Sequence, residues 1–193
     1  MSVTEKLYTA EEFWEFAQLP ENRHRKLELV NGEIIEDDND MAAVKSINTI
    51  VAGRIITFLN NYVIPRNLGS VSVPDGGYRL NDYMVRQPDI GFISLGRYPE
   101  ITDDVMPAPE LAIEVVSYRE DIFQKTRDYL YNGVLEVWAV YPKSLELIVF
   151  WLDEDSQVTT KRFGIDDVLR NRPVLPDFEM PIRDIFPSNY LKK

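Results

Sequence analysis

Apolar and polar residues alternate along this chain in two periods, and the switches between them mark the elements. Thr9-Ala10-Glu11-Glu12 has the capping-box pattern and opens a short amphipathic helix with Phe13, Trp14 and Phe16, followed by Pro20. Lys26 to Val30 and Glu33 to Glu36 then flank Asn31-Gly32, the dipeptide suited to a two-residue hairpin turn. After the polar loop Asp37-Asp38-Asn39-Asp40, a possible N-cap, Val44, Ile47, Val51, Ile55, Phe58 and Tyr62 form one stripe of a long helix ending near Val63. This helix is expected to be the main one against a sheet. Short strands follow at Val71 to Val73 and Tyr78 to Leu80, around the turn Pro74-Asp75-Gly76-Gly77. Gly76-Gly77 precedes no helix, so it is not a phosphate loop.

The middle of the chain is different in kind, because two apolar runs each enclose one carboxylate, with Glu110 at the edge of the second. Gln87 to Ile93 contains Asp89, and Glu110 to Ser117 contains Glu114. Burying an unpartnered charge costs several kcal/mol, so each carboxylate needs a partner, and a metal ion is one. With a strand's period of two, Leu111, Ile113 and Val115 share one face, and Ala112, Glu114 and Val116 the other. Asp89 shares its face with Gly91 and Ile93. The small Gly91 and Ala112 then leave volume beside the carboxylates for an ion and a substrate. A second reading puts Glu114 on the wet face of a half-exposed strand.

Ser117-Tyr118-Arg119-Glu120 fits another capping box, which predicts a helix from Ser117 to about Asn132 stopped by Gly133. Ile122, Thr126 and Tyr129 make its apolar stripe, and Lys125 falls on that stripe. Alternatively, Lys125 is an ordinary surface partner of Asp121. The connection from Gly96 to Pro109, with three prolines, is long enough to be functional. Val134 to Tyr141 and Leu145 to Leu152 read as a hairpin, with a third strand at Val158 to Phe163. The segment from Pro173 to Pro187 is expected to wrap the core.

Composition narrows the chemistry. The chain has 193 residues, 45% of them hydrophobic, a length that suits a single domain over 1–193. It has no cysteine and one histidine, His24, which removes thiolate chemistry and any histidine-rich zinc site. His24 itself reads as a surface residue. A bound metal would be held by oxygen, as magnesium, manganese or calcium are. There is no signal peptide or membrane span, so a soluble, cytoplasmic protein is expected. The 32 acidic against 21 basic residues argue against a broad basic surface for nucleic acid. Aromatic strands around Trp138, Tyr141, Phe150 and Trp151 look exposed and suggest a homodimer.

A Pro-Asp strand, an apolar strand with a central glutamate and a nearby lysine resemble the PD-(D/E)XK restriction-endonuclease-like superfamily. More closely, Leu27-Glu28-Leu29-Val30-Asn31-Gly32-Glu33, Arg86-Gln87-Pro88-Asp89-Ile90, Ile113-Glu114-Val115-Val116-Ser117, Lys125 with Tyr129, Gly133 to Trp138, and Leu175-Pro176-Asp177-Phe178 to Phe186 resemble the bacterial Uma-type endonucleases within it. The resemblance implies an α/β, restriction-endonuclease-like fold: a central mixed β-sheet flanked by helices, with an N-terminal helix and β-hairpin. It also implies a Mg2+- or Mn2+-dependent nuclease acting on DNA. Asp89 and Glu114 would be metal ligands, joined by Glu28 and the Val115 carbonyl, with Lys125 as the catalytic lysine. The superfamily's usual lysine stands two residues after the glutamate, where this chain has Val116. The Uma-type family is similar in supplying it from the next helix. Where that family often has a histidine, this chain has Asn48. Two other classes compete: a non-catalytic binding or regulatory module on the same fold, and a structural domain associating through its aromatic residues.

Overall fold

The computed structural model describes residues 6–36, 46–74, 76–117 and 121–191. In chain order the elements are α1 (Ala10–Ala17), β1 (Leu27–Val30), β2 (Glu33–Glu36), α2 (Ser46–Val63), β3 (Gly69–Ser72), β4 (Tyr78–Asn81), β5 (Met84–Arg86), β6 (Ile90–Ser94) and β7 (Met106–Pro107). They continue with β8 (Leu111–Val115), α3 (Ile122–Leu130), β9 (Glu136–Tyr141), β10 (Glu146–Leu152), β11 (Val158–Phe163), β12 (Val168–Arg172), β13 (Leu175–Pro181) and α4 (Ile182–Ile185).

Local chemistry explains the first elements. Thr9 caps α1 through the Glu12 N–H, and Glu12 returns a bond to the Thr9 N–H at 3.0 Å. Between β1 and β2, Asn31 and Gly32 both have positive φ, +52° and +83°, as a two-residue turn of this hand requires. Polar Asp37 to Asp40 and Val44, expected to start α2, lie outside the described residues. Helix α2 buries the adjacent pair Val51 and Ala52, then Ile55, Leu59 and Val63 at intervals of four, on a single face.

The strands form a six-stranded sheet in the order β11-β10-β9-β8-β6-β3, a five-stranded sheet β2-β1-β5-β4-β7 and the pair β12-β13. In the larger sheet only β8 and β9 run parallel, and the other neighbours are antiparallel. One face, including Ile113, Val115, Trp138 and Val140, packs against α2 and the β12-β13-α4 segment. The other, including Ala112, Val137, Ala139 and Phe150, packs against α3 and against Tyr78 and Met84 of the smaller sheet. Residues of α1 cover β1 and β5. The central strands are therefore covered on both faces, as their near-continuous apolar runs require.

Three expectations are corrected here. Trp138 and Phe150 face inward, 0% and 2% exposed, because β9 and β10 are interior strands. These two rings therefore offer no surface for a homodimer. Residues 165–187 contribute a paired hairpin and a short helix beyond the wrapping segment expected. Finally, α3 starts at Ile122 with Asp121 as its N-cap, accepting from the Gln124 N–H, so Lys125 lies in its first turn and not two turns along. Tyr118, Arg119 and Glu120 of the expected capping box lie outside the described residues. Among the described residues, no helix is long and apolar enough to cross a membrane.

Candidate active site

The site is assembled where the start of β6 meets the end of β8. These strands pair antiparallel with Ile90 opposite Ile113, and continuing that register by one residue sets Asp89 opposite Glu114. Asp89 is half-buried, and its Oδ2 accepts from the Val115 N–H at 2.7 Å. One residue of β8 thus carries the second carboxylate, and the next tethers the first. The carbonyl of Val115 accepts from Asn48 Nδ2 at 3.1 Å, which fastens α2 to the same spot.

Glu114 is 1% exposed, so the wet-face reading is overturned. Its Oε1 accepts from the Tyr129 hydroxyl at 2.8 Å, and Lys125 Nζ stands 3.6 Å from Oε2. The lysine belongs to the stripe of α3 that faces the sheet, with its side chain 12% exposed. Asp121 gives Lys125 a backbone carbonyl for its N–H, while the ammonium lies toward Glu114. Burial, then the charges on Glu114 and Glu28, push the Tyr129 phenol well above its usual range. It is therefore a neutral donor to the carboxylate at ordinary pH.

Glu28 is buried as well, but its surroundings differ. Oε2 accepts from Arg86 Nη1 at 2.6 Å and Oε1 from the Gln87 N–H at 2.8 Å. On its other side the same guanidinium binds Asp128 Oδ2, through Nε at 3.1 Å and through Nη2. Burial would lower the pKa of Arg86, and the carboxylates of Glu28 and Asp128 outweigh this and raise it. Arg86, Asp128 and Tyr129 were not singled out for chemistry in the sequence. The signal available was their type: an arginine and an aspartate within otherwise buried runs.

The volume expected beside Gly91 is filled. A Cβ there would lie 2.2 Å from the Tyr78 hydroxyl oxygen, so Gly91 makes room for Tyr78 and not for an ion. Ala112 is packed among apolar side chains on the same side.

Asp89 and Glu114 are hard oxygen donors, and an ionised carboxylate accepts at about four positions. The Val115 carbonyl has a second lone pair beside the one Asn48 uses. This donor set suits a divalent ion that keeps several waters. Among the described residues, no three His, Cys, Asp or Glu side chains cluster as a metal site, and the Val115 carbonyl is a third oxygen beside the two carboxylates.

Comparison with known proteins places this geometry in context. No curated protein matches the chain. A solved structure described as "a putative nuclease belonging to DUF820 from Anabaena variabilis" aligns with a TM-score of 0.73 at 19% identity, covering 95% of this chain and 98% of that one. That likeness shows a shared mixed α/β fold. The profile of the Uma2 family, described as "Putative restriction endonuclease", matches residues 13–183, nearly the whole length, and the chain belongs to that family.

Proposed function

We propose that this protein is a metal-dependent nuclease that hydrolyses phosphodiester bonds of DNA in the cytoplasm. Asp89, Glu114 and the Val115 carbonyl would hold Mg2+ or Mn2+. The observation that carries the reading is the meeting of three separate elements at one point: Asp89 is bonded to Val115, and Lys125 faces the neighbouring Glu114. When bound, a divalent ion screens the phosphate's charge and lowers the pKa of a coordinated water.

The chain's own residues supply the rest. Lys125 brings a positive charge beside the carboxylates, where it orients the attacking water and stabilises charge developing on the phosphate. Tyr129 holds Glu114 in one orientation by donating to Oε1. Asn48 fixes the Val115 carbonyl from α2. The single histidine, His24, is exposed on a turn before β1, and cysteine is absent, so the chemistry falls to the carboxylates and the lysine.

One observation favours the non-catalytic module. Glu114 has partners inside the fold itself, the Tyr129 hydroxyl and the Lys125 ammonium, as a buried carboxylate without a metal requires. Calorimetric titration with Mn2+ separates the two readings when wild type is compared with Asp89→Asn. The nuclease reading expects an isotherm for wild type alone, and cutting of plasmid, linear duplex or single-stranded DNA that EDTA abolishes. Equal isotherms overturn the ligand assignment, and Mn2+ binding without cutting of any substrate supports the module.

A further inference from the structure

We infer that Glu28 is a positioning residue: with Arg86 and Asp128 it forms a buried strap that sets Asp89 and the Lys125 helix at a fixed separation. Its carboxylate grips two consecutive residues, the Arg86 side chain at 2.6 Å and the Gln87 N–H at 2.8 Å, and its side chain is 3% exposed. Gln87 and Pro88 lead directly into Asp89, so the grip fixes the turn that aims the carboxylate at Val115. From the other side of the guanidinium, Asp128 ties in α3. Asp128 Oδ1 also accepts from Gln124 Nε2 at 2.8 Å, one turn back on the same helix. Lys125 and Tyr129 are the residues next to these two.

The strap is poorly explained as a device for stability alone. Burying one guanidinium and two carboxylates carries a desolvation cost that apolar residues of similar volume would not. What such a triad gives is geometry: a planar fork serves two carboxylates at fixed angles, which a lysine does not. Both oxygens of Glu28 are engaged in this way, so it acts on the site through Asp89 and not as a ligand itself.

The consequence for metal binding rests on the nuclease reading, but the positioning of Asp89 does not. Amide hydrogen exchange without metal tests it directly. The Val115 N–H is bonded to Asp89, and the next amide, Val116, is bonded to the Val140 carbonyl at 2.8 Å. In Glu28→Gln, Val115 is expected to exchange at least about tenfold faster while Val116 keeps its wild-type rate. Both amides accelerating together would show general loosening and overturn the strap, as would no change in either. Arg86→Lys should give the same pattern. If that variant fails to fold, Glu28→Gln, which keeps the side-chain shape, decides alone. If wild type binds Mn2+, Glu28→Gln should weaken it by about 10- to 100-fold, and unaltered affinity overturns the proposal. A wild type that binds no Mn2+ defeats the nuclease reading, and the exchange result still decides the strap.

Discussion

Two buried glutamates lie on neighbouring parallel strands of the same sheet, at opposite ends and on opposite faces, and they are held in different ways. Glu136 begins β9 beside Leu111, whereas Glu114 lies near the end of β8 beside Ala139. Glu136 accepts from Trp138 Nε1 at 2.9 Å, from Arg172 Nε at 3.1 Å to both oxygens, and from Arg172 Nη2 at 2.9 Å. Glu114 has a tyrosine hydroxyl and a lysine 3.6 Å away. The first carboxylate is closed by a planar fork that fastens β12 to the sheet. The second is held by one hydroxyl and by a point charge at a distance a tight hydrogen bond would not leave. Equal burial therefore does not mean equal purpose, and what separates the two is the geometry of the cation.

Mutation of each glutamate tests that contrast most severely. On the proposed nuclease reading, Glu114→Ala should lower DNA cleavage by at least about 10^3-fold, measured under single-turnover conditions, because it would remove a metal ligand. Glu136→Ala should leave cleavage per folded molecule intact and cost about 3–5 kcal/mol in urea unfolding, since it strands the Arg172 charge. The contrast collapses if the two variants behave alike.

The cation comes next. Lys125→Ala is expected to reduce the rate of cleavage by about 10^2-fold with little change in Mn2+ affinity, as loss of a transition-state interaction requires. Lys143→Ala, on the exposed turn after β9, should match wild type. Wild-type rates for both would make Lys125 a structural counterion, like Arg172.

Smaller effects come from the tyrosines. Tyr129→Phe removes a hydrogen bond to a charged group and should cost about 1.5–3 kcal/mol in urea unfolding. Tyr78, whose hydroxyl is bonded to Ser72, offers a control. Burial pushes its phenol up to about 12, only partly offset by its bond to Ser72. A raised folded-state pKa means that its contribution is complete below about pH 10 and is lost as pH rises toward about 12. Unfolding measured across that range should show stability falling, and Tyr78→Phe should flatten part of the fall.

What could be read from the chain was whatever local rules determine. The Asn31-Gly32 turn, the Thr9 cap and the strand at Val158 to Phe163 follow from residues adjacent in sequence. The two carboxylate-bearing strands were legible because Asp89 in Gln87 to Ile93 and Glu114 in Leu111 to Val116 are each the single charge in an apolar run. The strap was not legible, because its partners are 58 and 42 positions apart and no periodicity links them. Burial of Trp138 was missed because period two assigns faces without saying whether both are covered. Gly91 misled in the opposite direction, since a missing side chain reads as space until Tyr78, thirteen residues earlier, is seen to fill it.

The strap also sets an order of events during synthesis. Glu28 leaves the ribosome 58 residues before Arg86, and Arg86 a further 42 before Asp128. At about 5–20 residues per second, Glu28 waits roughly 3–12 s for its first partner. Until α3 follows, the nascent chain carries Asp89 and Glu114 without Lys125, Tyr129 or the Asp128 anchor. The site therefore cannot be completed before a single nine-residue helix emerges, followed by β9, which flanks β8.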